Sequence, residues 1–359
     1  STLREVTEID PTDAGAAELL ATLLTRRGDL DAALDVWDRL VESGERADRA
    51  RFARAQIRLN QENWSAAEAD IRRLLETPER QFGGTVLAGS LDLARERYEA
   101  SRDWFGKALE MEPGSNEAVA GLVQAYVAEG ELDAAIAFLE ERTAARSEDA
   151  FGFRLKGELL ARQGELDAAI AAYERAVELA PEWVRAYREL AALHRRGKGD
   201  AEAAIAVYRS ALDVMPDQPV LLDELGQSLV LARRPSEAIE VYDRLIELQP
   251  KNDTAANNFA ALVADHAYDD EAMLARALEV AERFRGSDNG LFLDTLGWLY
   301  YRDGQYPAAS TYLGRAVAAV PDRPDLRYHL GMALERTGDT EGALEHLRQA
   351  VAAEVPFDG

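Results

Sequence analysis

Gly164-Glu165-Leu166-Asp167-Ala168-Ala169 is matched by Gly130-Glu131-Leu132-Asp133-Ala134-Ala135 and by Gly28-Asp29-Leu30-Asp31-Ala32-Ala33, at offsets of 34 and four times 34 residues. Prolines keep the same interval, with two periods from Pro113 to Pro181 and one from Pro216 to Pro250. One period reads Phe153, Gly157, Leu160, Gly164, Ala169, Tyr173, Ala176, Pro181, and a clear copy reads Leu293, Leu296, Gly297, Tyr300, Gly304, Ala309, Leu313, Ala316, Pro321. A fixed period of this length predicts a stack of repeated supersecondary units, in which no unit buries its apolar stripe alone.

Extended along the chain, the period places repeat starts near residues 14, 48, 82, 116, 150, 184, 219, 253, 290 and 324. The step after 184 lengthens to 35, which we attribute to Gly197-Lys198-Gly199-Asp200, and the step after 253 lengthens to 37 around Ala267-Tyr268-Asp269-Asp270. Residues 1–13 read as the tail of a truncated upstream repeat, because Pro11 lies 34 residues before Glu45 at the proline position. Residues 76–85, with Gly83-Gly84 near a helix start, are expected to form a local irregularity or hinge.

The residue types fit paired helices, giving an all-α expectation. Small residues at Gly157, Gly226, Gly297 and Gly331 let a first helix (A) approach its partner (B), as do Ala169, Ala238, Ala309 and Ala343 on B. Trp37, Tyr173, Tyr208 and Tyr242 then fill the space between repeats. Gly28, Gly130, Gly164, Gly304 and Gly338 fit the left-handed residue that ends helix A. Pro235 and Pro307 fit the start of helix B, where a missing N–H is tolerated. In the repeat near 48, strict numbering turns Arg51, Arg54 and Arg58 inward. A slip of one residue turns Phe52, Ala55 and Leu59 inward instead, and is preferred because unpaired buried arginines are costly. Lys156, where an apolar residue is usual, is expected to snorkel or to pair with an acid.

Composition narrows the function classes. The chain has 359 residues, 47% hydrophobic and 30% charged, which is too apolar for wholesale disorder. Its formal net charge of −25 disfavours nucleic acid and anionic membrane surfaces as partners of the whole molecule. There are no cysteines, so disulfides and thiol chemistry are excluded, and no apolar run is long enough to span a bilayer. His194, His266, His329 and His346 make no metal-ligand spacing, and no phosphate loop or nucleophile elbow occurs. No cofactor, no metal and no enzymatic activity are expected.

The periodic pattern resembles the tetratricopeptide repeat (TPR), a helix-turn-helix unit with small, aromatic and proline residues at these positions. The resemblance covers nearly the whole chain and implies a right-handed superhelical TPR solenoid. It further implies that helix A positions 2, 5, 9, 12 and 13 face a concave groove that holds a protein or peptide partner. In the repeats at 150 and 184 these positions include Arg154, Arg162, Arg185, Arg188, Arg195 and Arg196. They read either as a seat for carboxylates or as an internal charge network with Glu158, Glu182 and Glu189. In the last two repeats they give Trp298, Tyr301, Arg302, Tyr328, Met332 and Arg336. These read either as an exposed hot spot or as side chains packed on their neighbours or under Val355-Pro356-Phe357. Of the asparagines that serve ligand binding in chaperone-type TPR clamps only Asn258, beside Asn257, is matched, while equivalent places carry Leu155, Glu189, Glu224, Thr295 and His329, so that clamp is not expected here.

A narrower resemblance lies in Ala255-Ala256-Asn257-Asn258-Phe259-Ala260, Leu293-Asp294-Thr295-Leu296-Gly297-Trp298, Arg327-Tyr328-His329-Leu330-Gly331 and Leu155-Lys156-Gly157. These strings are similar to bacterial TPR proteins associated with exopolysaccharide and exosortase-type surface systems. That resemblance favours a periplasmic or outer-membrane-associated location over a cytoplasmic one. The expected function is a non-enzymatic scaffold within a bacterial, envelope-linked assembly. Two alternatives stand beside it: a regulatory or docking arm of a larger enzyme or polysaccharide-secretion protein, and end-to-end self-assembly.

Overall fold

The computed structural model describes residues 13–352. The chain divides into two compact units, Ser1–Leu179 and Ala180–Gly359. The expected tail at 1–13 falls, except for Asp13, outside the described residues, as does the segment 355–357.

Among the described residues there are twenty α-helices and no strand. Unit 1 holds the A helices α1 (Ala14–Arg27), α3 (Ala47–Asn60), α5 (Gln81–Ala94), α7 (Asn116–Glu129) and α9 (Ala150–Gln163). They alternate with the B helices α2 (Leu30–Ser43), α4 (Trp64–Leu75), α6 (Tyr98–Met111), α8 (Leu132–Ala145) and α10 (Leu166–Leu179). In unit 2 the A helices are α11 (Val184–Ala192), α13 (Pro219–Leu231), α15 (Asp253–His266), α17 (Gly290–Arg302) and α19 (Pro324–Thr337). Their B partners are α12 (Ala201–Val214), α14 (Pro235–Leu248), α16 (Glu271–Ala281), α18 (Tyr306–Ala319) and α20 (Thr340–Val351). Within each unit a helix packs on the one before and the one after it, the arrangement of a TPR solenoid.

Helix A ends where a left-handed residue stops it. Gly28, Gly130, Gly164, Gly304 and Gly338 have φ between 78 and 89°. Glu62, Glu96 and Arg233 hold the equivalent position in three other repeats with φ of 57–58°, a conformation that costs a non-glycine residue on the order of 1 kcal/mol. The period is therefore harder to see in the sequence there. After α11 a π-helical turn, Leu193–Lys198, absorbs the longer spacing, and Gly199 supplies the stop one position later with φ of 69°. Pro235 and Pro307 both lie in the first turn of a B helix.

Close approach of A to B is set by missing side chains. A Cβ on Gly157 or Gly226 would lie 2.7 Å from the ring of Tyr173 or Tyr242, and one on Gly121 would lie 2.3 Å from Phe105. Ala169, Ala238, Ala309 and Ala343 are buried opposite, and Trp37, Tyr173, Tyr208 and Tyr242 are buried between repeats. Pro78–Arg80 forms a single 3-10 turn, and α5 then runs unbroken through Gly83-Gly84. Gly84 lies against the end of α4, where a Cβ would meet the Leu75 backbone nitrogen at 3.0 Å.

The two registers weighed for α3 are not exclusive. Ala55 is fully buried, with Phe52 and Leu59 packed onto the same core of Ala67, Ile71 and Leu74. Arg54 and Arg58 are nonetheless largely buried, which corrects the expectation that they point away. Asp70 of α4, itself buried, accepts from Arg54 Nε and from an Arg58 Nη1 at 2.8 Å each, and Asp38 of α2 accepts from Arg54 at 2.6 Å. The ions are paired, which removes the cost that argued against burial. Lys156 is half-buried and paired with Glu140 at 3.3 Å.

Candidate functional site

The A-helix face of each unit carries an open groove, and helix positions 9, 12 and 13 supply much of its lining. In unit 1 a groove of about 610 Å³ is lined by Thr22, Thr25 and Arg26 of α1, Gln56 and Asn60 of α3, and Ser90 of α5, among others. In unit 2 a groove of about 400 Å³ lies between α13 and α15. Its walls are Gln227, Val230 and Leu231 of α13 and Asn258, Ala261, Leu262 and Asp265 of α15, and Tyr242 of α14 closes the floor.

Helix geometry explains this lining. Residues 227, 230 and 231 fall on one face of α13 because steps of three and four return to the same side. Val230 and Leu231 follow Leu225 and Leu229, which are buried in the core, so the apolar pair lies just past the buried stripe. Leu231 is 68% exposed and Val230 is 42% exposed. Burial is the main cause that pushes the Tyr242 phenol up, to about 12; a hydrogen bond with the Asn258 side chain opposes it, and the Asp223 charge adds to it. Asp223 accepts from Gln227 Nε2 at 2.8 Å. Burial raises its carboxyl above the ordinary range, the Gln227 hydrogen bond partly offsets that, and Glu224 adds to it.

Asp265 links this groove to the aromatic cluster. Trp298 Nε1 of α17 donates to Asp265 Oδ1 at 2.9 Å. The Trp298 ring stacks on Tyr301 at 4.6 Å and on His329 of α19 at 4.1 Å between centroids. Arg302 lies over Trp298 and Tyr268, at 4.5 and 3.9 Å, and donates through Nε to the Ala264 carbonyl. His329 Nδ1 hydrogen-bonds the Asp294 carboxylate at 2.9 Å. Trp298 is only 5% exposed. The expectation of an exposed tryptophan anchor is therefore corrected, because neighbouring repeats cover both its ring and its N–H. Tyr301, Arg302 and Tyr328 are half-buried around it, Met332 is half-buried on α19, and Arg336 is exposed above Tyr306 at 4.4 Å.

The arginine candidates are distributed differently. Arg154 and Arg162 belong to unit 1, and both donate to Glu158, at 3.0 and 2.9 Å. Arg154 is buried, with its guanidinium 5.4 Å from the Phe151 ring, which corrects its placement as a groove-facing cation. In unit 2, Arg185 pairs with Glu189 at 2.6 Å and Arg188 with Glu224 at 2.5 Å. Glu224 also accepts from the buried Tyr208 hydroxyl, whose acidity is suppressed chiefly by burial and then by that carboxylate. Arg195 is half-buried and Arg196 exposed, both in the π-helical turn. Arg154, Arg162, Arg185 and Arg188 are each paired with a carboxylate of their own unit. Asn258 lies in the unit 2 groove, while Asn257 is half-buried with Oδ1 sealed from solvent.

Gln227, Val230, Leu231, Ala261, Leu262 and Asp265 were not singled out by motif. The signal was present in the sequence. Applying the same helix positions to the repeat at 219 yields an apolar pair, Val230-Leu231, where a solvated helix face would carry polar residues.

Two tetratricopeptide-repeat family models match the chain, one over residues 18–81, 154–220 and 295–358, the other over 92–159 and 195–264. The chain belongs to the tetratricopeptide-repeat family. No curated protein matches it significantly. Among solved structures it is similar to MamA from Desulfovibrio magneticus RS-1, at 22% identity over 46% of this chain and 92% of that one, with a TM-score of 0.41. It is also similar to YrrB, described as a TPR protein with an unusual peptide-binding site, at 21% identity over 59% of this chain and 90% of that one, with a TM-score of 0.36. A TPR repeat-containing protein from Cytophaga hutchinsonii, solved as its C-terminal part, is 17% identical over 68% of this chain and 99% of that one, with a TM-score of 0.49.

Proposed function

We propose that this chain is a non-enzymatic interaction module that holds a protein partner on its A-helix faces, with the unit 2 groove as the principal seat. The observation that carries this reading is the Val230-Leu231 pair, two aliphatic side chains exposed on a groove wall. Exposed aliphatics beside a buried aromatic floor and a few fixed polar groups are the composition of a preformed docking site, where little ordering is needed on binding. The short strings around Asn257-Asn258, Trp298 and His329 further support an assembly in the bacterial envelope, by their likeness to surface-system TPR proteins.

Affinity capture from a bacterial lysate, comparing the wild-type chain with Leu231→Lys combined with Ala261→Arg, tests the seat. Both positions line the groove, and Leu231 is exposed, so the variant is expected to keep the wild-type helical signal. Partners retained by the wild type and lost by the variant support the proposal. Identical partner sets from two equally folded proteins would overturn it.

A further inference from the structure

The unit 2 groove has a specific chemistry, and its charge is one-sided. Of the residues lining it, Asp265 alone is acidic or basic, and it is exposed. A second carboxylate, Asp223, stands on the same face of α13 four residues before Gln227 and acts on Tyr242 at the groove floor. Among the described residues Asp223 makes no salt bridge, its recorded side-chain partner being the neutral amide of Gln227. Two arginines of unit 2 are committed elsewhere. Arg188 is held by Glu224, and Arg302 is stacked between Tyr268 and Trp298 with Nε on the Ala264 carbonyl. The groove therefore presents an aliphatic wall, an amide pair in Gln227 and Asn258, and two carboxylates that make no salt bridge among the described residues.

Resting on the docking reading above, we infer that the unit 2 groove takes a segment of another protein in which an aliphatic side chain is flanked by lysine or arginine. The aliphatic group would lie on Val230, Leu231 and Leu262 and remove their exposed apolar surface from water. Gln227 and Asn258 each offer both a donor and an acceptor, the requirement for holding an extended backbone. The cation would face Asp223 and Asp265. Asp223 gains most, since its carboxyl is already partly withdrawn from water and next to Glu224, so an incoming positive charge relieves an existing penalty. An acidic segment would meet the same two carboxylates unfavourably, so the groove selects by repulsion as well as attraction.

The test uses the full chain, immobilised and panned against a random-peptide display library, followed by fluorescence anisotropy with the enriched peptides. Enriched sequences are expected to place Leu, Ile or Val within a few positions of Lys or Arg. Leu231→Lys is expected to weaken these peptides by about tenfold or more. Asp223→Asn with Asp265→Asn, which leaves an acceptor for Trp298 Nε1, is expected to weaken them by about threefold or more and to flatten the loss of affinity between about 0.05 and 0.5 M salt. Circular dichroism melting of each variant checks that its fold is retained.

Peptides lost on Leu231→Lys but indifferent to the double asparagine variant would overturn the cationic partner while leaving the groove as a docking seat. Peptides indifferent to Leu231→Lys would overturn both. Enrichment of acidic peptides, or of none, would equally overturn the inference.

Discussion

Trp298 Nε1 donates to Asp265 Oδ1 at 2.9 Å, joining helix α17 to the groove wall of α15 across 33 residues of sequence. The bond turns an aromatic residue on the inner helix face into part of the inter-repeat core. Its ring is covered by Tyr301, His329 and Arg302. Trp298→Ala removes both the buried ring and the donor, so a loss of about 3–5 kcal/mol is expected. Denaturant unfolding checks this. A loss under about 1 kcal/mol would mean that the ring is not held as the structure has it.

Asp70 is the pivot of a second network, and its removal is expected to be as severe. It is a buried carboxylate that faces both Arg54 and Arg58. Asp70→Ala strands two guanidinium groups in a largely buried site with only the more exposed Asp38 to receive them, at an expected cost of about 3–5 kcal/mol. Replacing all three residues by Met, Met and Leu leaves no buried charge unpaired, and that variant is expected to regain the lost stability. Equal destabilisation of the single and triple variants would show that shape, rather than charge pairing, dominates there.

These two networks mark the boundary of what sequence could reveal. The period follows from comparing copies along the chain, and the glycine stops at Gly28, Gly130, Gly164, Gly304 and Gly338 and the small residues at Gly157 and Gly226 follow from geometry within one repeat. Arg54 could not be paired with Asp70 in the same way, because the partner sits 16 residues away on a facing helix and either register leaves a plausible apolar stripe. Trp298 raised the same difficulty. Its helix position says that it faces the inner side, but coverage depends on Asp265 and His329 from adjoining repeats. The Val230-Leu231 pair was legible by position and lacked any motif to announce it.

Asp223 offers a stability test whose sign is fixed by its environment. Burial holds its carboxyl above the ordinary range, so the folded chain binds this proton more readily than the unfolded chain does. Ionised Asp223 is therefore a penalty that develops as pH rises from about 4 through the folded value and is absent at lower pH, where both states are protonated. Asp223→Asn keeps an acceptor for Gln227 and removes that penalty. The variant is expected to melt above wild type at neutral pH, with the gap closing as pH falls below about 4. A variant that melts lower at neutral pH, or a gap that ignores pH, would contradict the assignment. If the same substitution also weakens binding of a cationic peptide, then the stability lost to an unpaired acid in the free protein is regained when the partner docks.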